Sequence, residues 1–204
     1  MEIFKTTNSE LSQKDIKQAV NILKNGNVII YPTDTIYGLG CDIFNKKAIE
    51  TIYQIKKRER RKPMSIICSD LKQVSEYAKI SNLAYGIMKK VLPGPYTFVL
   101  KASPNTPKSF ISKNKTVGIR IPDSQICLEL VKALGNPIIT TSVNISSQEP
   151  YNEPPDIIKN ADPKVALFID AGSLANEPSS VIDLSDENNP QILREGKGDL
   201  SMFA

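Results

Sequence analysis

The stretch VIIYPTDTIYGLGCD, residues Val28 to Asp42, decides how the rest of the chain is interpreted. Its first four residues, 28–31, predict a buried strand, and Pro32 ends regular pairing because it has no backbone N–H to donate. The hydroxyl and carboxylate groups of 33–37 follow at once, and two glycines then permit close backbone approach. Open α/β sheets place ligand sites at such strand ends. The alternative is a plain turn in which the polar side chains only satisfy the backbone.

Length and composition predict an ordinary globular protein. The chain has 204 residues, of which 40% are hydrophobic and 24% charged, so we expect one domain over residues 1–204. No apolar run approaches the roughly 20 residues that a membrane helix needs, and the N-terminus lacks the pattern of a secretory signal. We therefore expect a cytoplasmic protein without a membrane partner.

The absence of histidine from the sequence limits the chemistry. It excludes an imidazole-ligated zinc site and a Ser-His-Asp triad, so catalysis would depend on carboxylates, cations, hydroxyls and backbone amides. The three widely spaced cysteines, Cys41, Cys68 and Cys127, are interpreted as reduced core residues. We predict no metal site made of protein side chains.

Positive charge is concentrated in the sequence KKRERRK, residues Lys56 to Lys62. The formal net charge is +4, and this segment alone carries six cations and one anion, which leaves about −1 for the remainder. Such a patch indicates a contact with phosphate or nucleic acid. A solvated helix end explains it equally well.

Hydrophobic periodicity predicts alternating helices and strands. The predicted helices are 11–24, one capped by Asn45, 70–77, one capped by Asn82, 124–134 and 155–160. The predicted strands are 28–31, 64–68, 96–101, 117–121, 137–141, 165–170, 180–184 and 191–194, with a polar loop at 103–115. Because the last three strands follow one another, we predict an α/β fold with an open mixed sheet and helices on its faces.

Polar residues cluster at the ends of these elements, in 33–37, 56–58, 116–120, 140–144, 179–180 and at Arg194. If they converge, cations and hydroxyls would form a site for an anionic, phosphate-bearing ligand. Neither a P-loop nor a GxGxxG motif is present, so a nucleotide would bind by another arrangement. Simpler roles stay open: Arg120 could pair with a buried aspartate, and Ser142 and Asn144 could form a helix cap or Asx turn.

Seven segments together resemble the YrdC-like threonylcarbamoyl-AMP synthases, and the resemblance covers about residues 10 to 200. They occur in the order of that family: YPTDTIYGLGCD, Lys56-Lys57-Arg58, PGPYTFVLK from Pro93, VGIRIPD from Val117, TTSVN from Thr140, SSVIDL and ILREG from Ile192. The resemblance implies a twisted open mixed sheet with helices on both faces and a concave basic cavity.

The resemblance also implies an activity and its residues. L-Threonine, bicarbonate and ATP would be condensed by this nucleotidyltransferase to threonylcarbamoyl-AMP and pyrophosphate, for threonylcarbamoyladenosine modification of tRNA. Mg²⁺ would bridge the phosphates, and Lys56 and Arg58 would be catalytic through charge stabilisation. ATP would be held by Lys56, Arg58, Thr116, Ser142, Asn144 and Arg194. Threonine would be held by Thr33, Arg120, Thr140 and Ser179.

Other functions compete with this interpretation. Cys68 replaces a histidine that lines the threonine pocket of some members, and parts of the sequence are closer to the YciO-like branch, whose substrate could differ. The Lys-x-Arg and Ser-x-Asn pairs, which branch members can lack, are both present. An RNA-binding module that uses the basic cavity is the third possibility. Partners would be tRNA or double-stranded RNA and threonylcarbamoyl-transferase proteins.

Overall fold

Six α-helices and eleven β-strands occur in the part of the chain that the computed structural model describes, residues 1–6, 10–59, 64–107, 111–146 and 148–203. The helices are α1 (Gln13–Lys24), α2 (Lys46–Ile55), α3 (Leu71–Tyr77), α4 (Asn82–Val91), α5 (Gln125–Leu134) and α6 (Pro154–Asn160). The strands are β1 (Glu2–Lys5), β2 (Val28–Tyr31), β3 (Gly38–Asp42), β4 (Ser65–Ile67), β5 (Ala78–Lys79), β6 (Tyr96–Ala102), β7 (Thr116–Arg120), β8 (Ile138–Ser142), β9 (Val165–Asp170), β10 (Ser180–Asp183) and β11 (Gln191–Arg194).

The strands form one mixed sheet, which confirms the predicted fold class. Their order is β1-β9-β2-β3-β8-β4-β7-β6-β10-β11, and β5 pairs with β6 outside this path. Strand β9 lies parallel to both β1 and β2, whereas β3 is antiparallel to both β2 and β8. None of the helices in the described ranges is both long and apolar enough to cross a bilayer.

Helices cover both faces of the sheet, and β2 shows this most clearly. All four residues of β2 are buried. Ile29 and Tyr31 belong to a hydrophobic cluster with residues of α1 and α5, whereas Val28 and Ile30 belong to a second cluster with residues of α2, α3, α4 and α6. Because side chains alternate along a strand, these two clusters lie on opposite faces of the sheet.

Most helix boundaries agree with the sequence signals. The side chains of Asn45 and Ser124 cap α2 and α5 by accepting backbone N–H groups, and Gly135 ends α5 in the left-handed conformation. The predicted cap at Asn82 was wrong by one residue. Ser81 precedes α4 and accepts the N–H of Ala84, so Asn82 is the first residue of the helix.

The sequence analysis missed the strands β1, β3 and β5, and β3 shows why. The prediction treated GLGCD as the end of a ligand loop because of its glycines. In the structure all five residues are buried, and β3 lies between β2 and β8. A side chain at Gly40 would collide with the backbone oxygen of Ile139, and one at Gly38 would reach within 2.9 Å of the Tyr31 ring. The predicted close approach therefore exists, but the neighbours are protein groups.

This packing predicts opposite effects for two glycine-to-alanine changes. Gly40→Ala should lower the free energy of unfolding by about 3 kcal/mol, because backbone atoms must move to accept the methyl group. Gly86 lies in α4, and no neighbouring atom lies within 4 Å of the place that a methyl group would take there, so Gly86→Ala should raise stability by about 0.5–1 kcal/mol. Urea unfolding of both variants tests this; equal effects would contradict the assigned contact at Gly40.

Candidate functional site

A pocket of about 480 Å³ lies over one face of the central strands, where alternate residues of β6 and β7 line it. Strands β6, β7 and β8 contribute side chains to its lining, together with the segments that lead into β3 and β10. Further lining residues come from the end of α2, from β4, from the segment after β8 and from β11. Eight of the ten predicted site residues line this pocket: Arg58, Thr116, Arg120, Thr140, Ser142, Asn144, Ser179 and Arg194. Thr33 and Lys56 are not among its lining residues in the described part of the chain.

The chemistry of the lining favours an anion. Three arginines and several hydroxyl groups face the pocket, and no Asp or Glu occurs among the described residues that line it. Burial lowers the pKa of Arg58, and burial together with the nearby Arg120 lowers the pKa of Arg194. These shifts have the sign expected when like charges are gathered away from solvent, and a bound anion would relieve them.

The Lys-x-Arg pair is presented by the end of α2. The N–H of Lys57 donates to Gln54 O at 3.1 Å and that of Arg58 to Tyr53 O at 3.1 Å, which is the hydrogen-bond pattern of a Schellman motif. Lys57 takes the left-handed conformation, with φ of 46°, in the position where glycine is usual. The chain therefore turns sharply, and Arg58 enters the pocket.

Lys56 lies beneath the pocket and not among its described lining residues, and its predicted contact with ATP stays a prediction. The side chain is 1% exposed, and its ammonium donates to Ser142 O at 2.6 Å, to Ser142 Oγ at 3.2 Å and to Asn144 Oδ1. Burial, with a smaller effect of Arg58, lowers the pKa of Lys56 to about 7. The three acceptors oppose this shift because they stabilise the charged form.

The Ser-x-Asn pair completes the same network. Ser142 Oγ donates to Asn144 Oδ1 at 2.7 Å, the Asn144 amide donates to Gln148 O, and the N–H of Ser146 donates to Lys56 O at 2.9 Å. Within the described residues no helix starts at this segment. The helix-cap alternative is therefore wrong, and the pair instead holds the Lys56 ammonium.

Arg120 is paired with a buried aspartate, as the simpler interpretation anticipated. Its Nη2 donates to Asp34 Oδ1 at 2.8 Å and to Thr35 Oγ1 at 3.0 Å, and the side chains of Arg120 and Asp34 are each 8% exposed. Arg120 also lines the pocket, and its Nε has no hydrogen-bond partner among the described residues. Arg120 thus holds the β2–β3 loop and still has an unused donor.

Thr33 serves the turn that follows β2. Its hydroxyl donates to Ile36 O at 2.6 Å, accepts the N–H of Thr35 at 3.1 Å and is 3.0 Å from Thr35 Oγ1. The residue is buried. The turn alternative for this stretch therefore applies to Thr33, and its predicted contact with threonine stays a prediction.

Ser179, directly before β10, and Arg194 of β11 form a second network. Arg194 donates to Ser179 O from Nε at 3.1 Å and from Nη2 at 2.8 Å, and Nη2 is 3.2 Å from Ser179 Oγ. The hydroxyl of Ser179 also lies 2.8 Å from that of Thr97. Thr97 was missed by the sequence analysis because a threonine in a hydrophobic strand is typical of ordinary packing.

The segment after Arg194 contributes a further contact that the sequence did not indicate. The N–H of Lys197 donates to Pro178 O at 2.9 Å, and its ammonium donates to Asp34 O at 2.6 Å. Ser180 Oγ donates to Gly198 O at 2.8 Å. This segment therefore crosses next to Ser179 and joins it to the loop that holds Arg120.

The predicted basic patch is divided in the structure. Lys56 is buried, Lys57 is exposed and Arg58 is half-buried, whereas the part of the patch in 60–62 lies outside the described residues. RNA binding by this patch stays a prediction.

The three cysteines are buried and free, as predicted. Cys68 does not line the pocket, but its N–H donates to Arg120 O at 2.9 Å.

Comparisons with known proteins agree on one family. A family model named Sua5_yciO_yrdC, described as "Telomere recombination", matches residues 21–196. The uncharacterized protein YciO of Escherichia coli K12 is 39% identical over 94% of this chain and 93% of its own length. The threonylcarbamoyl-AMP synthase of Buchnera aphidicola (subsp. Acyrthosiphon pisum) is 34% identical over 80% of this chain and 95% of its own length.

Solved structures match over the whole chain. The crystal structure of E. coli YciO superimposes with a TM-score of 0.94 at 37% identity and covers 100% of both chains. The structure of Sua5 from P. abyssi complexed with L-threonine superimposes with a TM-score of 0.92 at 28% identity, over 100% of this chain and 60% of that one.

The low pKa of Lys56 predicts how stability depends on pH. Between about pH 7 and 10.5 the unfolded chain keeps a proton on Lys56 that the folded protein releases, so this residue makes the folded state more stable as pH rises through that window. We expect the unfolding free energy of the wild type, minus that of Lys56→Met, to increase from about pH 7 to about pH 10. Urea unfolding of both proteins measures it, and a pH-independent difference would contradict the shift.

Proposed function

The chain belongs to the Sua5/YciO/YrdC family, and we propose that it is a cytoplasmic threonylcarbamoyl-AMP synthase that supplies tRNA modification. In this reaction L-threonine, bicarbonate and ATP give threonylcarbamoyl-AMP and pyrophosphate. Relatives named threonylcarbamoyl-AMP synthase support a transferase-type enzyme. The observation that carries the finer proposal is the gathering of eight predicted ligand side chains in one pocket lined by arginines and hydroxyls.

Arg58 and Arg194 would bind the phosphates of ATP. Arg58 reaches the pocket from the end of α2, directly after the buried Lys56, and Asn144 lines the pocket above the Lys56 ammonium. Because these cations are held in place before the ligand arrives, they would stabilise the negative charge on the departing pyrophosphate with little reorganisation. Lys56 would act from beneath by orienting Ser142 and Asn144.

Arg120 would bind the carboxylate of threonine. One side of its guanidinium is taken by Asp34 and Thr35, and Nε is buried without a described partner. The ion pair with Asp34 would fix the guanidinium plane, and the remaining donors would meet the carboxylate. Thr140 and Ser179, which also line the pocket, would supply hydroxyls around the amino acid.

The chemical step would need no protein nucleophile. The amine of threonine adds to the carbon of bicarbonate, water leaves, and the resulting carbamate oxygen attacks the α-phosphorus of ATP while the bond to pyrophosphate breaks. The protein would contribute orientation and charge stabilisation. Since no described carboxylate lines the pocket, a Mg²⁺ ion that accompanies ATP would be held by phosphate oxygens.

A YciO-like enzyme with another substrate is the second candidate. It is favoured by the 39% identity with E. coli YciO, although relatives named threonylcarbamoyl-AMP synthase, one of them as putative, reach 32–38%. The same pocket would then bind ATP beside a different anionic acceptor. Contact with tRNA or with threonylcarbamoyl-transferase proteins is a further proposal that belongs to the first candidate.

Pyrophosphate release separates these candidates. We expect release from ATP and Mg²⁺ to require both L-threonine and bicarbonate, and Arg58→Ala to reduce it by about 10²-fold or more, because a preorganised donor to the developing charge is lost. Lys89→Ala, an exposed change on α4, is the matched control and should be unaffected. Release that is absent, or indifferent to threonine, would favour the YciO-like candidate.

A paired substitution separates the two roles of Arg120. Arg120→Gln should cost about 3–5 kcal/mol of stability, because Asp34 is left buried without its cation, and Asp34→Asn/Arg120→Gln should recover most of this loss. Both proteins should show a Michaelis constant for threonine raised about 10- to 100-fold, with that for ATP little changed. If the double variant recovered threonine affinity together with stability, Arg120 would only support the loop.

A further inference from the structure

Thr97 lines the pocket and has no role in the function proposed above. It lies on β6, within the PGPYTFVLK segment, and is 5% exposed. Strand β10 runs parallel to β6 with Val181 opposite Thr97, which places Ser179 at the adjoining strand end. The side chain thus meets the pocket at the position where Ser179 and Arg194 also reach it.

The hydroxyl of Thr97 contacts a serine that is already an acceptor. Thr97 Oγ1 is 2.8 Å from Ser179 Oγ, and both residues are buried. Arg194 Nη2 donates to the same Ser179 Oγ at 3.2 Å. A serine hydroxyl has two lone pairs and one proton, so Arg194 occupies one of its two acceptor positions.

The direction of the Thr97–Ser179 hydrogen bond decides what Ser179 offers to a ligand. If Ser179 donates to Thr97, its only proton is used and a lone pair faces the pocket. If Thr97 donates, both lone pairs of Ser179 are filled and its proton is free for a ligand. An anionic group needs a donor, so a carboxylate in this pocket selects the second arrangement.

We propose that Thr97 is a positioning residue that donates its hydroxyl proton to Ser179 and thereby presents the Ser179 hydroxyl as a donor to the bound amino acid. This inference rests on the proposed function, because it names threonine as that ligand. Arg194 is held chiefly by the Ser179 carbonyl oxygen, to which its Nε and Nη2 both donate, whereas Thr97 acts on the Ser179 hydroxyl alone. It therefore selects for an amino acid carboxylate without changing the affinity for ATP.

Two substitutions at Thr97 separate the effect of its hydroxyl group from the effect of its side-chain shape. Thr97→Val keeps the branched shape but removes the donor, whereas Thr97→Ser keeps the donor. Thr51→Val on α2, which removes a hydroxyl bonded to Lys47 O at 3.0 Å outside the pocket, is the matched control. The measurements are the Michaelis constants for threonine and ATP in pyrophosphate release, calorimetric titration of threonine, and the urea midpoint.

We expect Thr97→Val to weaken threonine binding and raise its Michaelis constant by about three- to tenfold, because Ser179 keeps its proton but loses the hydrogen bond that orients its hydroxyl toward the ligand. The constant for ATP should stay close to that of the wild type, and the urea midpoint should fall only slightly, because one buried hydrogen bond is lost. Thr97→Ser should bind threonine like the wild type. A purely packing role would not give this separation.

The contrary outcomes are distinguishable. If the wild type neither binds threonine nor needs it for pyrophosphate release, the proposed function fails and the role of Thr97 fails with it. If the wild type depends on threonine but Thr97→Val keeps wild-type values, the inference alone is overturned. Equal increases in both Michaelis constants, or a loss that Thr97→Ser does not rescue, would assign Thr97 to packing and also overturn it.

Discussion

The buried ammonium of Lys56 is the constraint on which the pocket depends. A cation that is 1% exposed must be met by acceptors, and those acceptors come from Ser142 and Asn144, at the far end of β8. The end of α2 and the segment after β8 are therefore fixed relative to each other, and a backbone bond from Ser146 N to Lys56 O strengthens the link. The Lys-x-Arg and Ser-x-Asn motifs therefore form one structural unit. If either motif were absent, the buried polar groups of the other would lack their hydrogen-bond partners.

The opposite side of the pocket also contains a buried cation, Arg120, that is held by groups distant in the sequence. Arg120 is held by Asp34, and the loop that carries Asp34 is in turn contacted by Asp123 N at 3.2 Å and by the Lys197 ammonium. Each wall therefore contains a cation whose partners belong to a distant part of the chain. Truncation of either cation would leave its buried partners unpaired, so stability must be measured alongside activity at both positions.

Much of the fold could be predicted from periodicity, but the exceptions have physical causes. Helices α1, α2 and α5 carry regular apolar stripes and clear caps, which depend on local sequence. Strand β3 was missed because Gly38 and Gly40 lower its strand propensity. Glycine is needed at these positions because Tyr31 and Ile139 lie too close to accept a side chain, and the local sequence does not show these neighbours. The eight pocket residues were found through motifs, but the burial of Lys56 depends on tertiary contacts with Ser142 and Asn144. The hydrogen bonds of Thr33 to Thr35 and Ile36 are local, and the sequence had indicated this turn as an alternative.

The charge balance of the pocket bears on the first step of the proposed reaction. An amine attacks bicarbonate carbon only when its lone pair is free, yet free amino acids carry an ammonium group near neutral pH. Three arginines line the pocket and no described carboxylate does, so the pocket would attract the carboxylate of threonine and disfavour the proton on its amine. A site that bound only phosphate would contain the same cations. In the proposed reaction these cations would also lie near the threonine amine and would favour its unprotonated form, which is the form that makes the carbamate. The absence of a histidine base is then consistent with the reaction, because the electrostatic field of the pocket would itself promote deprotonation of the amine.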